Sequence, residues 1–203
     1  MRRGGPKPRG KRPQVRATIP IRNVKRKRRL QGPAPIYVAA APGRRTRGIL
    51  RFRGRTVPVA LGRGGVLANK FEGDGATPRG RFRLLRLWWR ADRMLRPRTR
   101  LPVRAIQGDD GWCEDPQDRR YNRAIRLADG APGDRLKRKD HLYDLVIEID
   151  HNTHPRIANR GSAVFIHVAR PDFSPTAGCV ALRTGDLLRL LAQVGPESRI
   201  EIR

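Results

Sequence analysis

Two side chains near the end of the chain have the types and context for covalent acyl transfer. His167 ends the run Val164-Phe165-Ile166-His167, and Cys179 lies in Thr176-Ala177-Gly178-Cys179-Val180-Ala181-Leu182. A cysteine attacks as its thiolate, and an imidazole within reach can take the proton, so the pair would supply a nucleophile and its base. Such a pairing predicts a thiol midpoint below the ~8.5 of free cysteine. Each residue also has a plainer reading. A cysteine in an apolar setting is usually a small buried hydrophobe, and a strand histidine is often a core residue satisfied by backbone.

Holding such a pair together takes a framework of strands. The β-branched run before His167 reads as a buried strand, and residues 170–177, with Pro171 and Pro175, read as a loop. Upstream, residues 36–38, 48–52 and 56–61 read as short strands whose close spacing predicts antiparallel pairing. Residues 70–80, KFEGDGATPRG, carry three glycines and a proline in eleven positions and predict an extended loop, with a further strand at 81–89. Residues 91–139 are polar and irregular, which predicts a long excursion of the kind used as a lid or binding segment. Strand character resumes at 142–150, LYDLVIEID. Leucines at 187, 188, 190 and 191 behind a cap at Thr184 or Asp186 predict a short amphipathic helix over 184–194, and residues 198–202 alternate as a final strand. The expected fold is mainly β, one domain over 35–203, with one or two short helices.

Charge is distributed unevenly. Of a net +28, residues 1–71 contribute 21 Lys or Arg and no acid. The first thirty residues carry +13 among scattered Gly and Pro with no repeating apolar face, which predicts a disordered basic arm over 1–34. A polyanion is the partner expected for residues 1–30, through largely sequence-independent attraction; a solvated tail is the plainer reading. No stretch approaches the ~18 apolar residues of a membrane span, and residues 36–41 are too short and too late for a secretion signal. Two cysteines, Cys113 and Cys179, allow at most one disulfide. Cys113 reads as structural or site-lining. His151 and His154 beside Asp150 have a superficial look of metal ligands, but their spacing on an extended segment fixes no common face, so neither metal nor cofactor is expected.

The run GSAVFIHVARPDFSPTAGCVAL, preceded by HLYDLVIEIDHN and followed by the leucine helix, resembles the catalytic end of the YkuD-type L,D-transpeptidases, bacterial enzymes that cross-link peptidoglycan. ALGRGGV and KFEGDGATPRGRFRL resemble the family's glycine-rich hairpin and Thr-Pro-x-Gly-x-Phe element, and GWCEDPQDRRYNRAIRL resembles a middle segment of one subfamily. The resemblance spans roughly residues 35–203. It implies a β-sandwich or barrel of mixed strands, with Cys179 as nucleophile, His167 as general base, and the amides of Gly178 and Cys179 as oxyanion site. A stem peptide would give a thioester on Cys179, resolved by an acceptor amine, or by water if the enzyme is a carboxypeptidase. Where many members carry a second histidine and an Arg or Asn flanking the Gly-Cys pair, this chain has Ala177 and Ala181. That marks a compact subfamily and leaves Arg183 to replace the lost charge.

A stem peptide carries carboxylates, so Thr176, Arg183, Tyr121, Asn122, Arg123 and Lys70, with Arg79, are the candidate substrate contacts; an arginine fork pairs with carboxylate through two hydrogen bonds. Trp88, Trp89 and Trp112 are candidates to wall the cleft or simply to fill the core. The family implies action in the periplasm or cell envelope, on peptidoglycan stem peptides, by a monomer. A nucleic-acid-binding protein is the alternative class. Against it, aromatic residues are 5% and are not interleaved with the basic run.

Overall fold

The computed structural model describes residues 35–203 apart from 129, together with positions 1 and 5. The rest of the expected arm over 1–34 lies outside the described residues. Three strands open the domain, β1 (Ile36–Ala41), β2 (Arg44–Phe52) and β3 (Arg55–Ala60), paired antiparallel in a meander. Alternation turns Val38, Leu50, Phe52, Val57 and Val59 inward and leaves Arg51 and Arg55 exposed. Strand β2 begins four residues before the expected start, because its arginines occupy solvent positions of a hairpin that backbone pairing holds. The glycine-rich segment is loop-like, as expected, with one short parallel ladder between β4 (Val66–Leu67) and β5 (Thr77–Pro78).

The long strand β6 (Gly80–Trp89) leads into the middle region, which holds more structure than its sequence suggests. β7 (Val103–Ala105) pairs with β6, while β8 (Asp110–Trp112), β9 (Ala124–Arg126) and β10 (Asp134–Arg135) form a separate three-stranded sheet. Strands of two or three residues have no readable period. Close packing replaces it: a Cβ on Gly111 would lie 2.1 Å from Leu127 Cδ1.

The last elements are β11 (Leu145–Ile149), β12 (Phe165–Val168), β13 (Val180–Leu182), α1 (Thr184–Leu191) and β14 (Arg199–Ile202). The main sheet runs β11-β12-β13-β3-β2-β1-β14-β6, and β6 returns to pair with β11, closing a barrel of mixed strands. Closure removes the free edges an open sheet would expose. The expected antiparallel pairing of the three opening strands forms, and the barrel is mixed, as expected: β1 with β14, β12 with β13 and β6 with β7 pair parallel. In each case the partners are joined by a crossover or are far apart in sequence, which local spacing does not encode. Thr184 is the first helical residue and Arg183 the N-cap, without a side-chain cap bond; Asp186 lies in the first turn, where its charge suits the helix dipole. Among the described residues no helix is long and apolar enough to cross a membrane.

Two apolar layers meet at β12. Ile166 and Val168 join the barrel interior with Leu50, Leu84, Ile147 and α1, while Phe165 packs on the other side with Trp88, Trp112, Leu136, Tyr143, Val146 and Cys179. A strand buried on both faces has a near-continuous apolar sequence, here 164–168 interrupted only by His167.

One glycine ties the barrel to the loop that carries the cysteine. Gly62 bridges to Thr176, and its amide donates to Thr77 Oγ1 at 2.8 Å. A Cβ there would lie 2.2 Å from Gly75 O and 2.8 Å from Thr77 N, both backbone atoms. Gly62→Ala is expected to destabilise the domain by about 3 kcal/mol in chemical denaturation; a change below about 0.5 kcal/mol would show that the two loops are not locked together.

Candidate active site

The parallel register pairs His167 with Ala181 and Ile166 with Val180. Alternate residues share a face, so Cys179, two before Ala181, lies on the same face as His167 and one step along the strands. Both open onto one cavity of about 180 Å³, whose wall includes Thr176, Ala177 and Ala181. Ala181 is fully buried opposite the imidazole, and its small side chain leaves the space between base and thiol open.

The histidine's tautomer follows from its neighbour. His167 Nδ1 lies 2.8 Å from Val168 O, and a carbonyl only accepts, so Nδ1 carries the proton and Nε2 presents its lone pair. The Tyr143 ring meets the imidazole edge-on at 5.4 Å. Cys179 Sγ accepts from the Phe165 amide and donates to Ala163 O, each at 3.3 Å. In this resting arrangement the thiol proton is aimed at Ala163 and not at His167.

Burial dominates the electrostatics of both groups. It pushes the Cys179 thiol up to about 12, with Asp134 and Glu114 adding to the rise and the Phe165 amide and Lys70 opposing it. It also pulls His167 down to about 4 against the opposing bond to Val168 O. Thiol and imidazole are therefore both neutral at rest, which reverses the expectation of a thiolate midpoint below ~8.5.

The turn between the two strands is set by Thr176. Its Oγ1 donates to Cys179 O at 2.7 Å and accepts from the Gly178 amide at 3.1 Å. The Gly178 amide is thus already committed, although it was an expected oxyanion donor. Gly178 itself has φ +143, and a Cβ would meet Ala76 O at 2.9 Å, so only glycine fits there.

The other expected contacts are distributed unevenly. Lys70 is buried and lines a second cavity of about 270 Å³ that also reaches Cys179; its Nζ bonds Asp74 Oδ1 at 2.7 Å. The Tyr121 hydroxyl donates to Glu72. Arg123 is exposed and lines neither cavity, as is true of Arg79. Arg183 lies over the Phe173 ring at 5.2 Å and also lines neither, so the charge beside the histidine comes from Arg138 and Arg170. Sequence reasoning missed these two; in a chain with so many arginines, only the fold singles them out.

Asn122 serves the site from behind. Its Oδ1 accepts from Trp112 Nε1 at 3.0 Å and from the Ala163 amide at 3.3 Å, while Nδ2 donates to the carbonyls of His151 and Asn152. That uses the full capacity of the amide and leaves none for a substrate. Through Ala163, whose φ is +50, it holds the carbonyl that receives the thiol proton. Trp88 and Trp112 are core residues of the outer layer, and Trp89 packs against the barrel core. Both cysteines are free; Cys113 is buried and lines a separate hollow beside Asp118 and Arg120. His151 and His154 face Arg160 O and Thr153 Oγ1, and no metal-binding cluster is found among the described residues.

Two outcomes follow. With Cys113 replaced by alanine, the logarithm of the Cys179 alkylation rate by iodoacetamide should rise by about one unit per pH unit from 7 to 10 without levelling; a plateau below 8.5 would mean that His167 stabilises the thiolate in the free protein. Asn122→Ala strands several buried groups and should cost about 3 kcal/mol in urea denaturation; near-neutral behaviour would contradict the clamp.

The profile of the YkuD L,D-transpeptidase catalytic domain matches residues 44–202. Among solved structures, the chain is similar to Mycobacterium tuberculosis L,D-transpeptidase 1 at 14% identity and a TM-score of 0.35, covering 83% of this chain and 62% of that one. The chain thus spans less than two thirds of that structure. No curated protein sequence matches. The family profile extends from β2 to β14 and includes both His167 and Cys179, and the chain belongs to the YkuD family of L,D-transpeptidase catalytic domains.

Proposed function

We propose that the protein is a cysteine-dependent L,D-transpeptidase acting on peptidoglycan stem peptides in the cell envelope. The observation that carries this reading is the shared cavity, with a neutral thiol and an imidazole whose only free nitrogen is Nε2 on the same strand face. Arg170 lines that cavity with no ion-pair partner among the described residues, Arg138 adds positive charge although bonded to Asp140, and no carboxylate lines it, which suits the terminal carboxylate of a donor stem.

In the proposed reaction the donor carbonyl reaches Cys179 Sγ. The thiol proton turns away from Ala163 O and passes from Cys179 Sγ to His167 Nε2 as the carbon–sulfur bond forms. The developing oxyanion is taken by the Cys179 amide, since the Gly178 amide is held by Thr176. Collapse breaks the carbon–nitrogen bond, and the leaving amine takes the proton from Nε2, giving a thioester. An acceptor amine then attacks, its proton moves to Nε2, and the departing thiolate recovers it. Starting from neutral partners avoids placing an ion pair in a dry site, where charge separation is expensive. Water in place of the amine would give a carboxypeptidase.

A carbapenem tests the nucleophile by intact-mass measurement. Wild type should gain one adduct and Cys179→Ala none, while His167→Gln should acylate about 10²–10³-fold more slowly. Folded wild-type protein without an adduct would overturn the reading.

A further inference from the structure

The second cavity at Cys179 carries the carboxylates that the first lacks. Three carboxylates, Glu72, Glu114 and Asp134, line it together with Lys70, Arg138, Arg63 and Ser162. Carboxylates beside a nucleophilic thiol work against it, and Asp134 and Glu114 do raise the Cys179 thiol. Their position makes no sense for the acylation step alone; it does for a cationic occupant.

The groups around the cavity are differently prepared. Glu72 is oriented by the Tyr121 hydroxyl, and Asp134 by the Tyr143 hydroxyl at 2.6 Å. Glu114 has no such bond: burial and the like charges of Asp134 and Glu72 push its carboxyl up to about 7. Two of the cations there are already paired, Lys70 with Asp74 at 2.7 Å and Arg138 with Asp140 at 2.8 Å, with Asp134 at a looser 3.7 Å from Arg138. Independently, Ser162 is 7% exposed, and its Oγ has Tyr121 nearby but no hydrogen-bond partner among the described residues. A buried hydroxyl lining a cavity without a partner is a vacancy for a polar ligand.

We propose that this cavity is the acceptor site of the transpeptidase reaction, where Glu72, Asp134 and Ser162 Oγ hold the ammonium of the incoming amine and Glu114 takes its proton. The proposal rests on the thioester chemistry of Cys179. The ammonium gives one proton to the Glu114 carboxylate, and the freed lone pair attacks the thioester carbon. A carbon–nitrogen bond forms and the carbon–sulfur bond breaks. The second proton reaches Cys179 by way of His167, and the Glu114 proton is later released to water. Arg63, at the rim and 3.4 Å from Gly73 O, is placed for the acceptor's carboxylate.

The test follows the partition of one pre-formed acyl-enzyme, made with a carbapenem or a donor tetrapeptide, between aminolysis and hydrolysis. Lysine serves as the cationic acceptor at pH 7, and hydroxylamine, uncharged at that pH, as the comparison. Glu114→Gln and Ser162→Ala should each lower the lysine aminolysis-to-hydrolysis ratio at least tenfold and leave the hydroxylamine ratio within twofold. Glu114→Asp should recover part of the loss, and Glu197→Gln, an exposed carboxylate outside both cavities, should keep the wild-type ratio. Equal losses with both amines, or an unchanged lysine ratio in Glu114→Gln, would overturn the acceptor site while leaving the nucleophile intact. Failure of wild type to acylate would instead overturn the thioester reading itself.

Discussion

The site depends on the parallel pairing of β12 with β13. Register sets His167 opposite Ala181, and the period of two along a strand then brings Cys179 to the same face one step away. A slip by one residue would turn either side chain into the barrel interior, where Ile166 and Val168 now pack. The barrel protects that register because both faces of β12 are buried, so a slip would exchange two apolar layers at once.

The same burial sets the chemistry. A dry environment favours neutral forms, and here it acts on both partners, raising the thiol and lowering the imidazole. The resting pair is therefore uncharged, and its geometry is kept by backbone groups: Phe165 and Ala163 on the sulfur, Val168 on the imidazole. Behind these stands Asn122, whose Oδ1 joins Trp112 of β8 to the Ala163 N–H and so links the middle region to the residue whose carbonyl holds the thiol. Two cavities meet at the sulfur and share Arg138, but they differ in lining: the first has Arg170 and no carboxylate, the second has three carboxylates beside Lys70 and Arg63. A bond-forming reaction between two substrates needs such asymmetry if each is to approach from its own side.

Much of the framework was legible from sequence. The strands at 36–38, 48–52, 56–61, 81–89 and 198–202 have clear alternation or apolar runs, and the leucine helix has its stripe; all of them form, with ends extended or trimmed by pairing. The middle region was not legible, because strands of two or three residues carry no period and are held by contacts such as Leu127 on Gly111. Asn122 shows the same limit for a side chain. Its neighbours in sequence suggest an exposed polar segment, and only the fold surrounds its amide with four partners.

By itself, the sequence determined which residues have reactive chemistry and the order of elements that carry them, because residue type, apolar periodicity and the Gly-Cys turn are local properties. The YkuD motifs around His167 and Cys179 belong to that local record. The tertiary structure alone decided the parallel register, the neutral charge state of the pair, the commitment of the Gly178 amide to Thr176, and the choice of Arg138 and Arg170 over Arg183. Each of these depends on burial or on partners distant in the chain, and desolvation and long-range pairing have no signature in a short stretch of residues.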